Sequence, residues 1–279
     1  MTFNISPIQW KPLETRDSTI CVVCIFDTHN AQPSVPPGDV FIHAGDLTPN
    51  GTAEELHAAV SWISSLPHPI KIVVVGNHDK ILDAHFRTRE LLDSSEINWK
   101  SSGIIYLEHT ATQITIHERK MTVFGSPYTP EYGNWAFQYP PTTLLPERAH
   151  EIWAMIPRHT DILITHGPPF AYLDVAGTRH AGCRGLLERI WVVRPAFHVF
   201  GHIHAGRGRE TLLWDAAQKR LECVSDNKGV SSRLLDRTWS IMEWAKRKGD
   251  ARRTSFLVNA CIQPGRRTDS LDDAEIVFL

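Results

Sequence analysis

The sequence has no apolar stretch long enough to cross a bilayer, which excludes a bundle of transmembrane helices. It has no surplus of either charge. With 29 Lys and Arg against 31 Asp and Glu the formal net charge is −2, so the composition writes in neither a general nucleic-acid surface nor an acidic tail. Cysteines are few and odd in number, five in 279 residues, and the opening Met-Thr-Phe-Asn-Ile-Ser-Pro lacks the basic start and apolar run of a secretion leader. The expectation is therefore a reducing, cytoplasmic setting with free thiols rather than a disulfide-stapled secreted fold. Cys21 and Cys24 do form a C-x-x-C, but in an apolar strand-like run where residues three apart point to opposite faces, so they read as core thiols.

What is present is an ordinary globular composition, 42% apolar and 22% charged, long enough to bury a substantial core. We read residues 1–279 as a single domain of the α/β class, with an insertion at about 214–253. Lys71 to Val75 is an apolar run of the kind that fills a strand buried on both faces, and it stops abruptly in Gly76-Asn77-His78-Asp79. Here the glycine is expected to free the backbone to turn. The same pattern recurs along the chain. Ser18 to Phe26 ends in Asp27-Thr28-His29, Asp39 to Ala44 in Gly45-Asp46, Asp161 to Thr165 in His166-Gly167, and Ala196 to Phe200 in Gly201-His202-Ile203-His204.

Between these strands the spacing predicts helices. Thr52-Ala53-Glu54-Glu55 is a capping box opening a helix that reaches about Leu66, with Val60, Trp62, Ile63 and Leu66 on its apolar side. Further helices are expected over Leu82–Leu92, Pro146–Ile156, Cys183–Val192 and Ser231–Lys246. Ile104–Leu107, Gln113–His117 and Met121–Gly125 read as short strands of a second sheet or an extension of the first, with Ser255–Ala260 closing the fold and Ile276–Leu279 adding an edge. Ser126 to Pro141 carries five aromatics in a proline-broken stretch. It reads either as the wall of a pocket or as a satellite core under a long loop.

In open α/β sheets ligands gather beyond the carboxyl ends of the strands. Seven such positions carry metal-ligating chemistry here: Asp27, His29, Asp46, Asn77, His166, His202 and His204. Mixed oxygen and imidazole donors suit Mn²⁺ or Fe, or Zn²⁺ in an expanded shell, and seven ligands are too many for one ion. Two divalent ions are expected, and Asp46, central among the strands, is the natural bridge.

These motifs, Asp27-x-His29, Gly45-Asp46, Gly76-Asn77-His78-Asp79, Thr165-His166-Gly167 and Gly201-His202-x-His204, resemble the calcineurin-like metallophosphoesterase superfamily in kind and order. Phe41-Ile42-His43-Ala44, Gly125-Ser126-Pro127, Pro168-Pro169 and Val258-Asn259-Ala260 resemble its small brain-type and fungal metallophosphoesterase-domain subgroup. The resemblance implies a four-layer αββα sandwich with two metals between the sheets. It assigns Asp27, His29 and His204 to one ion, Asn77, His166 and His202 to the other, and Asp46 to both. It makes His78 a catalytic group facing the leaving oxygen and Asp79 a support or a helix cap. The implied reaction is hydrolysis of a phosphodiester such as a cyclic nucleotide by an ion-bound hydroxide. The expected partner is a small-molecule substrate, with no nucleic acid polymer and no membrane.

The chain also departs from its larger relatives. Leu47-Thr48-Pro49-Asn50 follows Gly45-Asp46 where protein phosphatases carry an Asp and an Arg, and Val75 stands where they place another Arg. His78 is thus expected to lack a carboxylate partner, and no tyrosine accompanies the ligand motifs in the manner of purple acid phosphatases. For substrate contact the candidates are Tyr128 and Trp135 in the aromatic stretch and Arg179 and Arg207 as cations, with Tyr132, Phe137, Tyr139, Arg184 and Arg209 as further options. Two other readings stay open at this point: a two-metal hydrolase acting on a non-phosphate bond, and an inactive nucleotide-binding scaffold.

Overall fold

The structure, a computed structural model, describes residues 19–92, 97–140, 146–225, 254–263 and 272–279. The first half of the chain runs β1 (Cys21–Ile25), β2 (Val40–Ala44), α1 (Ala53–Ser65), β3 (Ile70–Val74), a 3-10 turn (Lys80–Leu82), α2 (Ala84–Glu90) and β4 (Ile105–Tyr106). Next come β5 (Thr110–Ile116), β6 (Arg119–Ser126), the two-residue strands β7 (Thr129–Pro130) and β8 (Gln138–Tyr139), and α3 (Pro146–Ala154). The chain continues with β9 (Ile162–Thr165), the small hairpin β10 (Val175–Ala176) and β11 (Arg179–His180), α4 (Arg184–Val193) and β12 (Phe197–Phe200). It finishes with a second 3-10 turn (His204–Gly206), β13 (Gly208–Leu213), α5 (Ala216–Ser225), β14 (Thr254–Asn259) and β15 (Glu275–Phe278).

Among the described residues the strands form a five-stranded sheet, ordered β15-β1-β2-β3-β4, and a six-stranded sheet, ordered β13-β14-β12-β9-β6-β5. Central strands such as Val-Phe-Ile-His-Ala of β2 and Ile-Leu-Ile-Thr of β9 are buried at every position, because each has a layer on both sides. β5 differs: its burial alternates toward the end, with Ile114 and Ile116 inward and Thr115 outward, as an edge strand with one wet face requires. Val22, Cys24, Ile42, Val74 and Val123 belong to one continuous core, whereas Ile25, Phe41, Val73 and Val75 pack with Ala59, Val60 and Ile63 of α1 and Phe86 of α2. Ala149 and Trp153 of α3 and Leu186 and Ile190 of α4 join the core that includes the second sheet. The four-layer αββα arrangement is therefore present, with the parallel strands of both sheets feeding their ends toward one region.

Most expected elements stand within a residue or two. The capping box is formed on both sides, Thr52 Oγ1 accepting from the Glu55 amide and the Glu55 carboxylate from the Thr52 amide. Cys183 proves to cap α4, its Sγ accepting from the Leu186 amide at 3.3 Å. β4 extends the first sheet while β5 and β6 enter the second, so both options for those short strands are realised. Cys21, Cys24, Cys183 and Cys261 are free thiols.

One expectation needs correction. Gly76 does not turn the chain through a positive φ; what matters is its missing side chain, since a Cβ there would lie 2.3 Å from Asp46 Oδ1. Trp214, where the expected insertion was set to begin, is buried and its Nε1 donates to Ser255 Oγ at 3.1 Å. β13 was not expected, because its Gly-Arg-Glu start reads as a charged loop, yet it pairs antiparallel with β14 along its whole length. α5 was likewise unassigned, and Glu222 fixes it by accepting from the Tyr172 hydroxyl and from Trp191 Nε1. The expected helix over Ser231–Lys246 and the wrapping segment 1–17 lie outside the described residues.

His198 on β12 offers a stability test. Its Nε2 donates to Thr165 Oγ1 at 2.8 Å, and that hydroxyl donates on to the Gly167 carbonyl at 2.7 Å. Burial pushes the imidazole down to about 3. Above pH 6.5 it is neutral in both states; below that, the unfolded chain takes up the proton first, so stability is lost as pH falls from 6.5 toward 3. His198→Gln keeps the donor and cannot titrate. Urea unfolding should show the wild type losing about 2 kcal/mol more than this variant between pH 6.5 and pH 5.

Candidate metal centre

The loops after β1 and β2 run side by side. Asp27 N donates to Gly45 O at 3.1 Å, His29 N to Asp46 O at 3.1 Å and Asn30 N to Leu47 O at 2.8 Å. To turn their side chains to one side, several of these residues adopt left-handed backbone: Asp27 (φ 51°), His29 (44°), Asp46 (52°) and, on the opposite loop, His202 (67°). Gly45 (φ 127°) sits so close that a Cβ would fall 2.1 Å from His166 Nδ1. Asp79, buried beneath, accepts from Thr48 N (3.0 Å), Thr48 Oγ1 (2.8 Å), Leu47 N (3.3 Å) and Gly76 N (2.8 Å). It thereby ties the β2 loop to the β3 loop and makes no side-chain bond to the 3-10 turn that follows, so of its two expected roles the helix cap is not the one observed.

The seven expected ligands converge. Asp27, His29 and His204 place one donor atom each within 4.8 Å of one another, and so do Asp46, His166 and His202. Asn77 Oδ1 lies 2.9 Å from His166 Nε2 and joins the second group. Asp46 stands between the groups: Oδ1 is 3.5 Å from His166 Nε2 and Oδ2 is 3.9 Å from His29 Nε2. Backbone carbonyls orient the rings. His29 Nδ1 meets Thr48 O at 3.3 Å and His166 Nδ1 meets Ala44 O at 3.2 Å, leaving both Nε2 atoms turned inward as acceptors.

A divalent pair fits this donor set on three grounds. Asp27 Oδ1 is buried with no hydrogen-bond partner, an arrangement that costs free energy unless a cation meets it. Burial drives His202 down to about 3 and His204 to about 4 and also lowers His29 and His166, so the imidazoles are neutral at pH 7, as ligation requires. The carboxylates are pushed apart. Burial and the Asp46 charge raise Asp27 well above the usual range and Asp79 to about 7, while burial of Asp46 is outweighed by His166, His78 and His29, which hold it low.

His78 is not among the converging donors. Its Nδ1 lies 2.8 Å from Pro49 O, its backbone N donates to Asp46 Oδ1 at 2.9 Å, and its ring meets His29 edge-on at 4.8 Å. A carbonyl thus takes the place of the carboxylate that it was expected to lack.

With this geometry in view, residues 22–206 match the calcineurin-like phosphoesterase family. The chain belongs to that family. The matched stretch contains all seven converging residues and His78. Over 259 residues it is 42% identical to the probable rhamnogalacturonate lyase C of Emericella nidulans, a match that covers 91% of this chain but 24% of that protein. It is 36% identical over 206 residues to the human metallophosphoesterase domain-containing protein 1, covering 67% of this chain and 61% of the relative. The phosphopantetheinyl hydrolase of Mycobacterium tuberculosis aligns with 92% of this chain and 95% of its own, at a TM-score of 0.48 and 14% identity. The chain therefore spans about a quarter of the first relative's length and about three fifths of the second's.

The candidates for substrate contact divide. Trp135 adjoins the candidate metal centre, its ring 4.1 Å from that of His78. Tyr128 is half-buried between His109 and Phe137, while Phe137 and Tyr139 are core and Tyr132 is exposed, so the aromatic stretch is partly wall and partly satellite core. Arg179 lies on the β10–β11 hairpin, which packs against the turn carrying His204. Arg207 is engaged within the chain: its guanidinium is held by Cys261 O, Asp273 O and Glu275. Arg209 pairs with Glu275 at 2.5 Å and Arg184 lies over the Phe170 ring at 3.7 Å. One support that sequence reasoning passed over is His43, buried on β2. Its Nε2 is 3.0 Å from Thr28 Oγ1 and its Nδ1 accepts from Gly45 N at 3.4 Å, joining the two carboxylate loops.

Titration calorimetry with Mn²⁺ should find two equivalents per chain, with fewer than one retained by Asp46→Ala. Because burial favours protonated Asp27 in the metal-free protein, binding should release a proton, seen as a dependence of the measured heat on buffer ionisation enthalpy. Gly76→Ala, which crowds Asp46, should lose binding as severely as Asp46→Ala does.

Proposed function

We propose that this chain hydrolyses phosphodiesters of small molecules, cyclic nucleotides being the leading class, with Mn²⁺ or Fe as its ions. The observation that carries the reading is Asp46 set between two neutral-imidazole groups, the arrangement needed to hold two cations side by side. When bound, such a pair supplies Lewis-acid polarisation of phosphoryl oxygens and a water acidic enough to ionise at neutral pH. Asp27, His29 and His204 would hold one ion, Asn77, His166 and His202 the other, and Asp46 both.

The residues of the chain do the rest. Asp79 and His43 fix the loops, and the burial of Asp27 and His166 keeps water from the ligand side, which strengthens every charge interaction within. His78, with Nδ1 turned to the Pro49 carbonyl, offers Nε2 as the atom through which a proton reaches the departing oxygen. A diester is favoured over a monoester on charge. Arg207 and Arg209 are engaged by Glu275 and Val75 replaces a further guanidinium, so the site offers little to clamp a dianion, whereas a diester carries one negative charge.

Assay of the Mn²⁺-loaded chain should give a kcat/KM for bis-p-nitrophenyl phosphate at least about tenfold above that for p-nitrophenyl phosphate, each 1.4 kcal/mol of transition-state stabilisation being a factor of ten. His78→Ala should lower kcat on a cyclic nucleotide on the order of 10²- to 10⁴-fold, the usual contribution of a general acid. Faster turnover of the monoester would overturn the diester reading, and a metal-loaded protein inert toward every phosphoester would overturn the whole of it.

A further inference from the structure

The imidazole of His78 has one hydrogen bond, from Nδ1 to Pro49 O at 2.8 Å, and no carboxylate partner among the described residues. The ring is tethered at Cβ as well as held at Nδ1, so the freedom left to Nε2 is the range of rotation about the Cβ–Cγ bond that one hydrogen-bond angle tolerates. Against that rotation lies Trp135, whose ring is 4.1 Å from that of His78 at an interplanar angle of 30°. His29 bounds the imidazole from another direction, edge-on at 79°.

Trp135 is itself held in register with the centre. The next residue, Ala136, donates its backbone N–H to the carbonyl of Asn77 at 3.2 Å, and Phe137 N donates to Asp83 Oδ2 at 2.6 Å. On the preceding side, Asn134 is gripped by Arg89 at 2.6 Å and by Glu90 at 3.2 Å. The indole also carries Lys80, whose Nζ lies 4.7 Å from its ring centroid. The ring is therefore engaged by two groups of its own chain and buttressed from both neighbours, unlike an open platform awaiting a planar ligand.

We propose that Trp135 is a positioning residue that acts through His78, holding the imidazole plane so that Nε2 stays aimed at the leaving oxygen, and that it does not stack on the substrate. The proposal rests on the phosphodiesterase reading above and replaces the expected substrate contact of this tryptophan. Its consequence depends on the leaving group. A ribosyl alkoxide needs a proton as it departs, so it is sensitive to the aim of His78, whereas p-nitrophenolate leaves unaided.

The test combines kinetics with a double-mutant cycle in the Mn²⁺-loaded protein, with thermal unfolding and metal content checked for every variant. For a 3′,5′-cyclic nucleotide, Trp135→Ala should lower kcat on the order of 10²-fold with KM nearly unchanged, as expected for a small misplacement of a catalytic group. Trp135→Phe should recover most of the loss, and bis-p-nitrophenyl phosphate should be little affected. Added to His78→Ala, Trp135→Ala should cost nothing further, because the residue through which it works is gone. A rise in KM with kcat retained, or a loss that multiplies with His78→Ala, would assign Trp135 to the substrate and overturn the proposal.

The ring protons of His78 in the nuclear magnetic resonance spectrum give a readout independent of turnover. They should be displaced by the indole ring current in the wild type and move on Trp135→Ala; no movement would overturn the proposal whatever the enzyme hydrolyses. Should they move while the wild type turns over no phosphoester, the placement of His78 by Trp135 stands and the phosphodiesterase reading falls.

Discussion

Asp46 has to be shared, and most of the site follows from that demand. Its two oxygens face imidazoles that arrive from opposite sheets, His29 from the loop after β1 and His166 from the loop after β9. For one carboxylate to reach both, the β2 loop must bend hard at Gly45-Asp46, and the neighbouring loops must bend with it. Hence the left-handed conformations at Asp27, His29, Asp46 and His202, each costing a non-glycine residue roughly 1–3 kcal/mol when held in a sparsely populated region. Such strain persists only where the surroundings over-determine it. Here the surroundings are the backbone bonds between the β1 and β2 loops, the four hydrogen bonds to Asp79, and the Thr28–His43 contact.

The same crowding explains why glycine stands where it does. At Gly76 the backbone conformation is open to any residue, yet the site tolerates no side chain, because Asp46 and His166 occupy the volume. A motif such as Gly-Asn-His-Asp therefore records a steric requirement of a neighbouring loop as much as a local turn. This is also why the ligand loops behave as one unit: displacing any of them moves atoms that another loop needs.

Much of this was legible in the chain itself. Apolar runs ending in Asp, Asn or His announced both the strands and the edge on which the chemistry lies, and the capping box at Thr52 announced α1. What stayed hidden shares a physical cause. β13 hides because an edge strand with a solvent face can carry Arg209 and Glu210, leaving no apolar run to notice. His43 hides because a lone histidine inside Val-Phe-Ile-His-Ala is indistinguishable from a satisfied core residue until its partners are seen. The hold on His78 by Pro49 depends on a main-chain carbonyl, which no side-chain pattern encodes. Arg207 misleads for the opposite reason: its place three residues after His204 suggests phosphate, but Glu275 at the far end of the chain claims it.

The pairing of β13 with β14 has an outcome of its own. Leu213 and Thr254 sit opposite each other in the antiparallel register, so the polypeptide leaves the sheet and returns to it at a single doorway. Pairing these two ends closes a loop, and the entropy of closing a loop grows only logarithmically, by about 0.6 kcal/mol for each doubling in length. That doorway is where the architecture can accept or shed tens of residues at small energetic consequence, which makes it the fold's natural site for evolutionary grafting.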